Sequence, residues 1–514
     1  MLARVYSASI FGIEVYSVEI EVDITSGLPR INIVGLPDTA VKESKERVRS
    51  AIKNSGYVYP DGKTTINLAP ADIKKEGPFF DLPIALGILA CSGQLNPQDL
   101  ADYCILGELS LDGKVRSIRG ALPIALSLRK ENSRRNLIVP FDNANEAAMA
   151  GEIEVYPVKT LPEAVGFISG NISIPIQRID LFQILEEANR AEELDFADVK
   201  GQSLAKRALE IAAAGAHNIL MIGPPGAGKS MLAKRFASIL PDMSLEEALE
   251  TTQIYSIAGM LEPNQALIAK RPYRAPHHVA SDIALVGGGS VPKPGEVSLA
   301  HNGVLFLDEL PEFHRNTLEA LRQPLEDGWV AICRIAKMLV FPSCLCLIAA
   351  MNPCPCGFFG SNSSYQQCHC SPHQIMRYRR KISGPLLDRI DIHIEVPMVK
   401  PLELIQPKEF ESSKEIKLRV DQARKRQLDR FLYTNIYFNS RMNHKQTKKF
   451  CQLSQPAEQL LRQAIDELGF SARAFDKILK VARTIADLAT QEEIQAEHIA
   501  EAIQYRILDR NLWL

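Results

Sequence analysis

The 514-residue sequence lacks any long uninterrupted apolar run. A helix that crosses a bilayer needs about 18 or more such residues in succession, and no segment approaches that length. The first residues also lack the basic start, apolar block and small-residue cleavage site of a secretory signal, and they alternate in the manner of a strand instead. These absences predict a cytoplasmic protein with no membrane partner.

The sequence has no evident disulfide framework either. Six of its ten cysteines are scattered among apolar neighbours, and the other four lie between Cys354 and Cys370. Scattered cysteines in a long chain without a secretory signal are typical of reduced core residues.

The chain has almost no excess charge, because its formal net charge is only −2. The distribution is uneven, however: residues 371–450 contain 18 Lys and Arg against 9 Asp and Glu. A solvated helical surface is the ordinary interpretation of such a region. An anionic partner such as nucleic acid becomes the better interpretation only if another feature points to it.

The length is sufficient for about three domains. Residues 1–175 mix alternating strands with a few helices, and residues 176–195 resemble a linker. Strands and helices alternate over residues 196–400, a pattern typical of a parallel α/β sheet, and residues 401–514 are purely helical in pattern. We therefore predict an N-terminal α+β domain, an α/β core and a C-terminal helical lid.

The most informative segment follows an apolar strand at residues 218–222 and opens a helix. It is a complete Walker A motif: Gly223, Pro224, Pro225, Gly226, Ala227, Gly228, Lys229 and Ser230. Its glycines let backbone N–H groups surround phosphates, and the helix N-terminus adds partial positive charge. We expect Lys229 to reach the β- and γ-phosphates of ATP and Ser230 to bind Mg²⁺. A glycine-rich turn without a nucleotide is the alternative, and the Lys-Ser pair argues against it.

Two later strands also end in polar residues. Asp308 and Glu309 follow an apolar strand at residues 304–307, and Asn352 follows the strand at residues 345–350. Ligands bind at the carboxyl ends of the strands in open α/β sheets. We expect Asp308 to hold Mg²⁺ through water and Glu309 to deprotonate the attacking water. Asn352 is predicted to bond that water or the γ-phosphate as sensor 1, unless it only caps its strand.

Two arginines further along the chain are candidates for the same reaction. Arg389 would act as an arginine finger on the nucleotide of a neighbouring subunit, which implies a ring. Arg473 opens a helix in the C-terminal region, where sensor 2 is expected. For either arginine, an ordinary surface ion pair is the alternative.

The clustered thiols are those of Cys354, Cys356, Cys368 and Cys370. Four thiolates suit a structural Zn²⁺ in tetrahedral geometry, and a metal would hold the polar loop between the two pairs. The C-x-C spacing is tighter than usual, and unligated reduced thiols are the alternative.

Together these motifs resemble the YifB/ComM family of magnesium-chelatase-like AAA+ proteins over nearly the whole chain. The segments that carry the resemblance are residues 223–230, 273–278, 287–289, 303–311, 352–357 and 382–391. ComM-type members are hexameric helicases that drive branch migration of recombining DNA in natural transformation. The resemblance thus implies an AAA+ P-loop core, ATP hydrolysis, a homohexamer, and single-stranded or branched DNA as substrate.

The resemblance also implies two insertions that project into a central pore, at residues 271–300 and in a hairpin over residues 329–341. They would bring Lys293, Arg334 and Lys337 to DNA phosphates. His277 and His278 would either contact phosphates as well or only support the fold.

Residues 75–82 and 106–113 resemble the proteolytic domain of Lon and a related domain of RadA. The Lon nucleophile follows a Gly-Pro pair, where this chain has Phe79, and its lysine corresponds to about Leu122. A Ser–Lys dyad needs a hydroxyl and an amine, which neither residue supplies. We therefore predict that this domain is inactive, and it is a candidate docking module for a protein partner.

Two other functions remain open from the sequence. Chelatase motor subunits use this core to remodel a partner protein, and a nucleotide-gated DNA-binding scaffold would need no hydrolysis. Glu309 and Arg389 argue against the scaffold.

Overall fold

The computed structural model describes residues 2–75, 77–131, 136–190, 194–262, 267–289, 292–333, 338–360, 367–399, 410–434 and 436–508. The chain packs as two compact units. One comprises Met1–Glu186, Leu245–Ala269 and Cys333–Val340, and the other comprises Glu187–Ser244, Lys270–Ile332 and Phe341–Leu514. Among the described residues, no helix has the length and apolar character needed to cross a membrane.

The first unit contains a seven-stranded mixed sheet in the order β3-β4-β2-β1-β5-β8-β9, and β6 and β7 pair separately. Its strands are β1 Leu2–Phe11, β2 Glu14–Thr25, β3 Arg30–Val34, β4 Lys63–Ala69, β5 Tyr103–Ile105, β6 Glu108–Leu109, β7 Val115–Arg116, β8 Asn136–Pro140 and β9 Val155–Val158. Its helices are Thr39–Asn54, Asp81–Cys91, Ala121–Lys130, Ala144–Ala148, Leu161–Ile168 and Leu245–Ala258, and the helix Leu181–Arg190 begins in it. Asp81–Cys91 is buried at every position, because it packs against β1 and β2 in the core of this unit.

The second unit is built on a five-stranded parallel sheet in the order β11-β14-β17-β10-β18, with a separate ribbon of β12 and β13. Its strands are β10 Ile219–Ile222, β11 Tyr273–Arg274, β12 Gly287–Gly288, β13 Lys293–Pro294, β14 Val304–Leu307, β17 Cys346–Met351 and β18 Ile392–Glu395. A further ribbon pairs β15 Trp329–Cys333 with β16 Met338–Pro342, and its residues 333 and 338–340 are counted with the first unit. Strands β10, β14 and β17 are buried along their whole length, as expected for a parallel sheet covered on both faces.

Strand β17 lies between β14 and β10, which fixes where the functional loops meet. Ile222 is opposite Met351, and Leu307 is opposite Ala349. The residues that follow these three strands therefore share one edge of the sheet.

Helices cover this sheet and form the C-terminal region. They are Ser203–Gly215, Lys229–Phe236, Asp282–Val286, Glu296–Leu299, Arg315–Ala320, Arg322–Asp327, Pro372–Arg379, Gly384–Leu387, Ser413–Arg430, His444–Phe450, Gln455–Leu468, Ala472–Leu488 and Ala496–Gln504. Capping explains two of their starts: Ser412 and Glu415 form a capping box, and the Ser471 hydroxyl accepts a hydrogen bond from the Ala474 amide. The mixed α/β fold with a C-terminal helical region is confirmed.

The structure corrects one expectation about the insertions. Residues 271–300 do not form a single insertion, because Tyr273 and Arg274 are a strand of the central sheet, parallel to β14. The Tyr273 ring packs on the core, and the Arg274 guanidinium bonds the Glu296 carboxylate at 2.6 and 2.7 Å. The predicted hairpin is present as the β15–β16 ribbon.

Candidate nucleotide site and metal centre

The loop between β10 and the helix that begins at Lys229 depends on its glycines. Gly226 and Gly228 have φ angles of 77° and 86°, a region that other residues rarely adopt. A Cβ at Gly223 would lie 2.2 Å from the Val396 carbonyl oxygen, so only glycine fits there. The loop ends at a helix N-terminus, which is suited to an anion.

Lys229 is nearly buried at this edge of the sheet. Its Nζ donates to the carbonyl oxygens of Gly223 and Pro224 at 2.6 and 3.0 Å and to Asn352 Oδ1 at 3.2 Å. Burial lowers the pKa of the Lys229 ammonium, while the carboxylates of Asp308 and Glu309 act in the opposite direction. The structure thus brings the Walker A lysine and the sensor 1 candidate into direct contact.

The two residues predicted to hold Mg²⁺ also meet. The Ser230 hydroxyl donates to Asp308 Oδ2 at 2.7 Å. Hydroxyl and carboxylate oxygens are hard ligands of the kind that Mg²⁺ prefers, and Mg²⁺ keeps several waters around one or two such groups. The donor set therefore fits a magnesium ion bound together with a nucleotide.

Glu309 has an unusual backbone conformation and a partner that the sequence did not identify. Its φ angle is 52°, in the left-handed region, where strain is common at functional sites. Its Oε2 lies 3.3 Å from His278 Nδ1, and the Glu309 side chain is 54% exposed. The His278 ring also contacts Phe313 edge-on, with 6.4 Å between the ring centroids. His278 therefore contacts the candidate base, and its two expected roles, a phosphate contact or support of the fold, stay predictions.

Within the part of the chain that the structure describes, the two candidate arginines contact other groups than these. Arg389 donates to the carbonyl oxygens of Arg322 and Pro385 at 2.9 and 2.7 Å and pairs with the Glu326 carboxylate. Arg473 lies 3.6 Å from Asp388. Within one chain both arginines thus form ion pairs, and their roles at a nucleotide stay predictions.

The four clustered cysteines meet in space. Their sulfur atoms all lie within 4.8 Å of one another, and Cys354, Cys356 and Cys368 are separated pairwise by 3.3 to 3.7 Å. Four sulfurs bound to one tetrahedral Zn²⁺ at about 2.3 Å would be roughly 3.8 Å apart. A hydrogen bond from the Phe358 backbone lowers the pKa of the Cys356 thiol to about 6. The arrangement is compatible with zinc.

The cysteine loop packs directly on the Walker A loop, which the spacing did not predict. Gly357 has a φ angle of 87°, and a Cβ there would lie 2.5 Å from Cδ of Pro225. Gln202 is a second unpredicted contact, because its Nε2 donates to the carbonyl oxygens of Ala227 and Pro397 at 3.2 and 2.6 Å. For the contact of the cysteine loop with the Walker A loop, the only signal in the sequence is that Cys354 closely follows Asn352.

Of the three predicted DNA contacts, the structure places one. Lys293 is exposed on β13, opposite Gly288. Arg334 and Lys337 lie outside the described residues.

The two Lon-like positions in the first unit are occupied by apolar side chains. Leu122 is fully buried and its amide donates to Glu146 Oε1 at 3.0 Å, while the Phe79 ring packs against Phe80. The adjacent Asp81 is a structural residue, because Arg47 pairs with its buried carboxylate at 2.7 Å. Inactivity of this unit as a peptidase stays a prediction.

Comparisons with known proteins agree along the whole chain. Residues 195–404 match the family model "Magnesium chelatase, subunit ChlI", residues 20–143 match "Subunit ChlI of Mg-chelatase", and residues 410–506 match "Magnesium chelatase, subunit ChlI C-terminal". The chain is 45% identical to Competence protein ComM of Haemophilus influenzae over 512 residues, 99% of this chain and 98% of the relative.

Two further relatives complete the comparison. The chain is 44% identical to the uncharacterized protein YifB of Escherichia coli over 514 residues, 99% of this chain and 98% of the relative. Lon protease 2 of Bacillus subtilis is 28% identical over 165 residues, which cover 30% of this chain and 28% of that protein. The Lon-like character of the N-terminal region is thus confirmed.

Proposed function

Since the chain belongs to the YifB/ComM family of magnesium-chelatase-like AAA+ proteins, we propose that it is an ATP-driven ring motor that acts on DNA. Family membership makes the chain an AAA+ ATPase and implies ATP and Mg²⁺ as its ligands. The observation that carries the proposal is the hydrogen-bonded set at one sheet edge, in which Lys229 bonds Asn352 and Ser230 bonds Asp308.

Each side chain has a distinct part in the proposed reaction. Lys229 binds the phosphates, and Ser230 and Asp308 hold Mg²⁺, which neutralises charge on the phosphate oxygens when it is bound. Glu309 takes the proton of the attacking water, and Asn352 orients that water. The buried, water-poor position of Lys229 strengthens its interaction with an anion.

The finer proposal is a cytoplasmic homohexameric helicase that promotes branch migration in recombination during natural transformation. It draws support from the relative named Competence protein ComM, which this chain matches over nearly the full length of both. Arg389 would act as a finger on the neighbouring subunit's nucleotide and Arg473 as sensor 2. Lys293, Arg334 and Lys337 would contact DNA phosphates in the pore.

Two structural assignments accompany this function. We propose one Zn²⁺ per chain on Cys354, Cys356, Cys368 and Cys370, which would hold the loop that packs on Pro225. We also propose that residues 1–175 form an inactive Lon-like domain available to a protein partner, with a linker at 176–195, the motor core at 196–400 and the lid at 401–514.

A strand-displacement assay on forked and four-way DNA tests the proposal. The wild type is expected to displace or migrate strands only with ATP and Mg²⁺, and Glu309→Gln is the matched control that binds ATP without turning it over. If the wild type displaces no strand on any DNA but remodels a partner protein with ATP, the chelatase-like protein-remodelling motor replaces this proposal.

A further inference from the structure

An open concavity of about 690 Å³ lies beside the segment that follows the Walker B carboxylates. It lies within the second unit, between the segment 311–315 and the end of the helix Pro372–Arg379. We refer to it as the basic concavity. Its charged and titratable lining residues are Glu312, His314, Arg315, His373, Arg377, Arg380 and Lys381.

The lining has a strong excess of positive charge. Four cations face one carboxylate, that of Glu312, which already bonds Lys381 at 2.9 Å. Among the described residues, no carboxylate lies within ion-pair distance of Arg315, Arg377 or Arg380. Arg377 and Arg380 are exposed and available to a ligand, and Arg315 is exposed but also interacts at longer range with the Glu319 carboxylate, whose pKa the Ser383 hydroxyl, Arg322 and Arg315 all lower.

Helix electrostatics do not account for this arrangement. Arg377 and Arg380 lie at a helix C-terminus, where cations are favourable, but Arg315 is the first residue of its helix, where a cation is unfavourable. Arg315 thus lies against the local dipole with only the longer-range Glu319 carboxylate to offset it, and an external anion would complete its environment.

We propose that the basic concavity binds the phosphodiester backbone of a nucleic-acid strand. The proposal rests on the proposed function, because it assumes that this motor acts on DNA, and it adds a binding surface separate from the residues predicted for the pore. Guanidinium groups match phosphate oxygens in a two-pronged geometry, and a basic cleft concentrates a polyanion.

The lining favours a nucleic acid over an acidic peptide. Pro311 and Phe313 are buried, so Met376, 39% exposed, is the one exposed apolar side chain among the ten lining residues. Peptide and protein partners depend on apolar or aromatic anchors in pockets, and a single methionine offers little of that kind. The concavity is also wide and open, so a polymer can pass through it.

The basic concavity is structurally linked to the hydrolysis site. Phe313 lines it and contacts the His278 ring, whose Nδ1 lies 3.3 Å from the Glu309 carboxylate. A strand seated in the concavity would thus be two side-chain contacts from the candidate base, a route by which binding would affect turnover.

Binding of a fluorescein-labelled thymidine oligonucleotide, measured by anisotropy over a range of salt, tests the proposal. The variant combines Arg315→Gln, Arg377→Gln and Arg380→Gln, all at exposed positions. Its control combines Lys42→Gln, Lys53→Gln and Lys63→Gln, which remove the same charge from exposed positions of the first unit.

We expect the concavity variant to lose on the order of tenfold in affinity or more, because each lost phosphate contact removes counterion release. The slope of log K against log salt should fall by roughly 2, since single strands contribute about 0.7 per phosphate. The lysine control should bind like the wild type.

The contrary outcomes separate this proposal from the one on which it rests. A concavity variant that binds with wild-type affinity and slope would overturn the concavity and leave the DNA-directed motor intact. A wild type that binds neither this oligonucleotide nor forked or four-way DNA at any salt would overturn both. If the wild type binds polyglutamate but no DNA, and the concavity variant loses the polyglutamate binding, the ligand of this surface is an acidic protein.

Discussion

The nucleotide edge of the central sheet and the two Lon-like positions of the first unit differ in the side chains that occupy them. At the nucleotide edge, polar side chains bond one another, as when Ser230 bonds Asp308, and the backbone at Glu309 is in a strained conformation. At the Lon-like positions of the first unit, the Phe79 ring packs instead against apolar neighbours, and the Leu122 side chain is fully buried.

The difference shows what a catalytic site requires beyond a fold. Polar groups at the nucleotide edge are partly removed from water and form hydrogen bonds with one another instead. Burying such groups costs free energy, and at this edge they are the groups that the reaction needs. Apolar residues at the Lon-like positions contribute packing and nothing reactive. Substitutions should therefore change turnover at the nucleotide edge and stability at the Lon-like positions.

The largest effect is expected at Glu309 and Lys229. Glu309→Gln should still bind ATP but lose about 10²- to 10⁴-fold in turnover, the usual contribution of a general base. Lys229→Ala should abolish hydrolysis and also weaken nucleotide binding, because the ammonium contacts ground-state phosphates. Steady-state turnover and nucleotide titration distinguish the two, with exposed Glu458→Gln as a neutral control. Undiminished turnover in Glu309→Gln would remove it as the base.

Arg389→Ala should leave ATP binding nearly intact and lower turnover on the order of 10³-fold if it is a finger. Mixing it with Glu309→Gln subunits should restore some activity, because an intact base then meets an intact finger. Glu326→Gln is the matched control, since it breaks the ion pair within the chain and leaves the guanidinium in place. If Glu326→Gln and Arg389→Ala lose turnover equally, and co-assembled mixtures of Arg389→Ala with Glu309→Gln recover none, then Arg389 has a structural role only.

The metal centre should show an intermediate effect. Elemental analysis is expected to give close to one zinc per chain, lost when Cys354→Ser and Cys356→Ser are combined. Turnover should also fall in part, because the loop that packs on Pro225 loses its support. Cys344→Ser, outside the cluster, should retain the metal. If the wild type contains no metal and is still folded and active, the four cysteines are reduced thiols and not a zinc site.

The smallest effect on turnover is expected at the Lon-like positions, Phe79 and Leu122. Leu122→Ala should lower the free energy of unfolding by about 2 to 5 kcal/mol, the usual cost of truncating a buried leucine. Turnover per folded molecule should stay near wild type, and no peptidase activity is expected. If Leu122→Ala loses turnover without losing stability, the Lon-like positions do not differ from the nucleotide edge in the way proposed.

The sequence predicted those parts of the site that local spacing determines. Apolar strands that end in Gly223, Asp308 and Asn352 identified the sheet edge, and the parallel register then brings the three loops together. The contact of His278 with Glu309 and that of Gly357 with Pro225 join residues far apart in sequence, so no spacing reveals them. Charge counting included Arg377 and Arg380 in the basic region but not Arg315, which only the fold brings beside them.

Steady-state ATP hydrolysis, measured alone and with single-stranded, duplex or branched DNA, decides whether the chain is a DNA-directed motor. Such a motor should show Mg²⁺-dependent turnover that rises with DNA, and the rise should depend on Glu309. Turnover that no DNA stimulates, while a protein partner does, would contradict it.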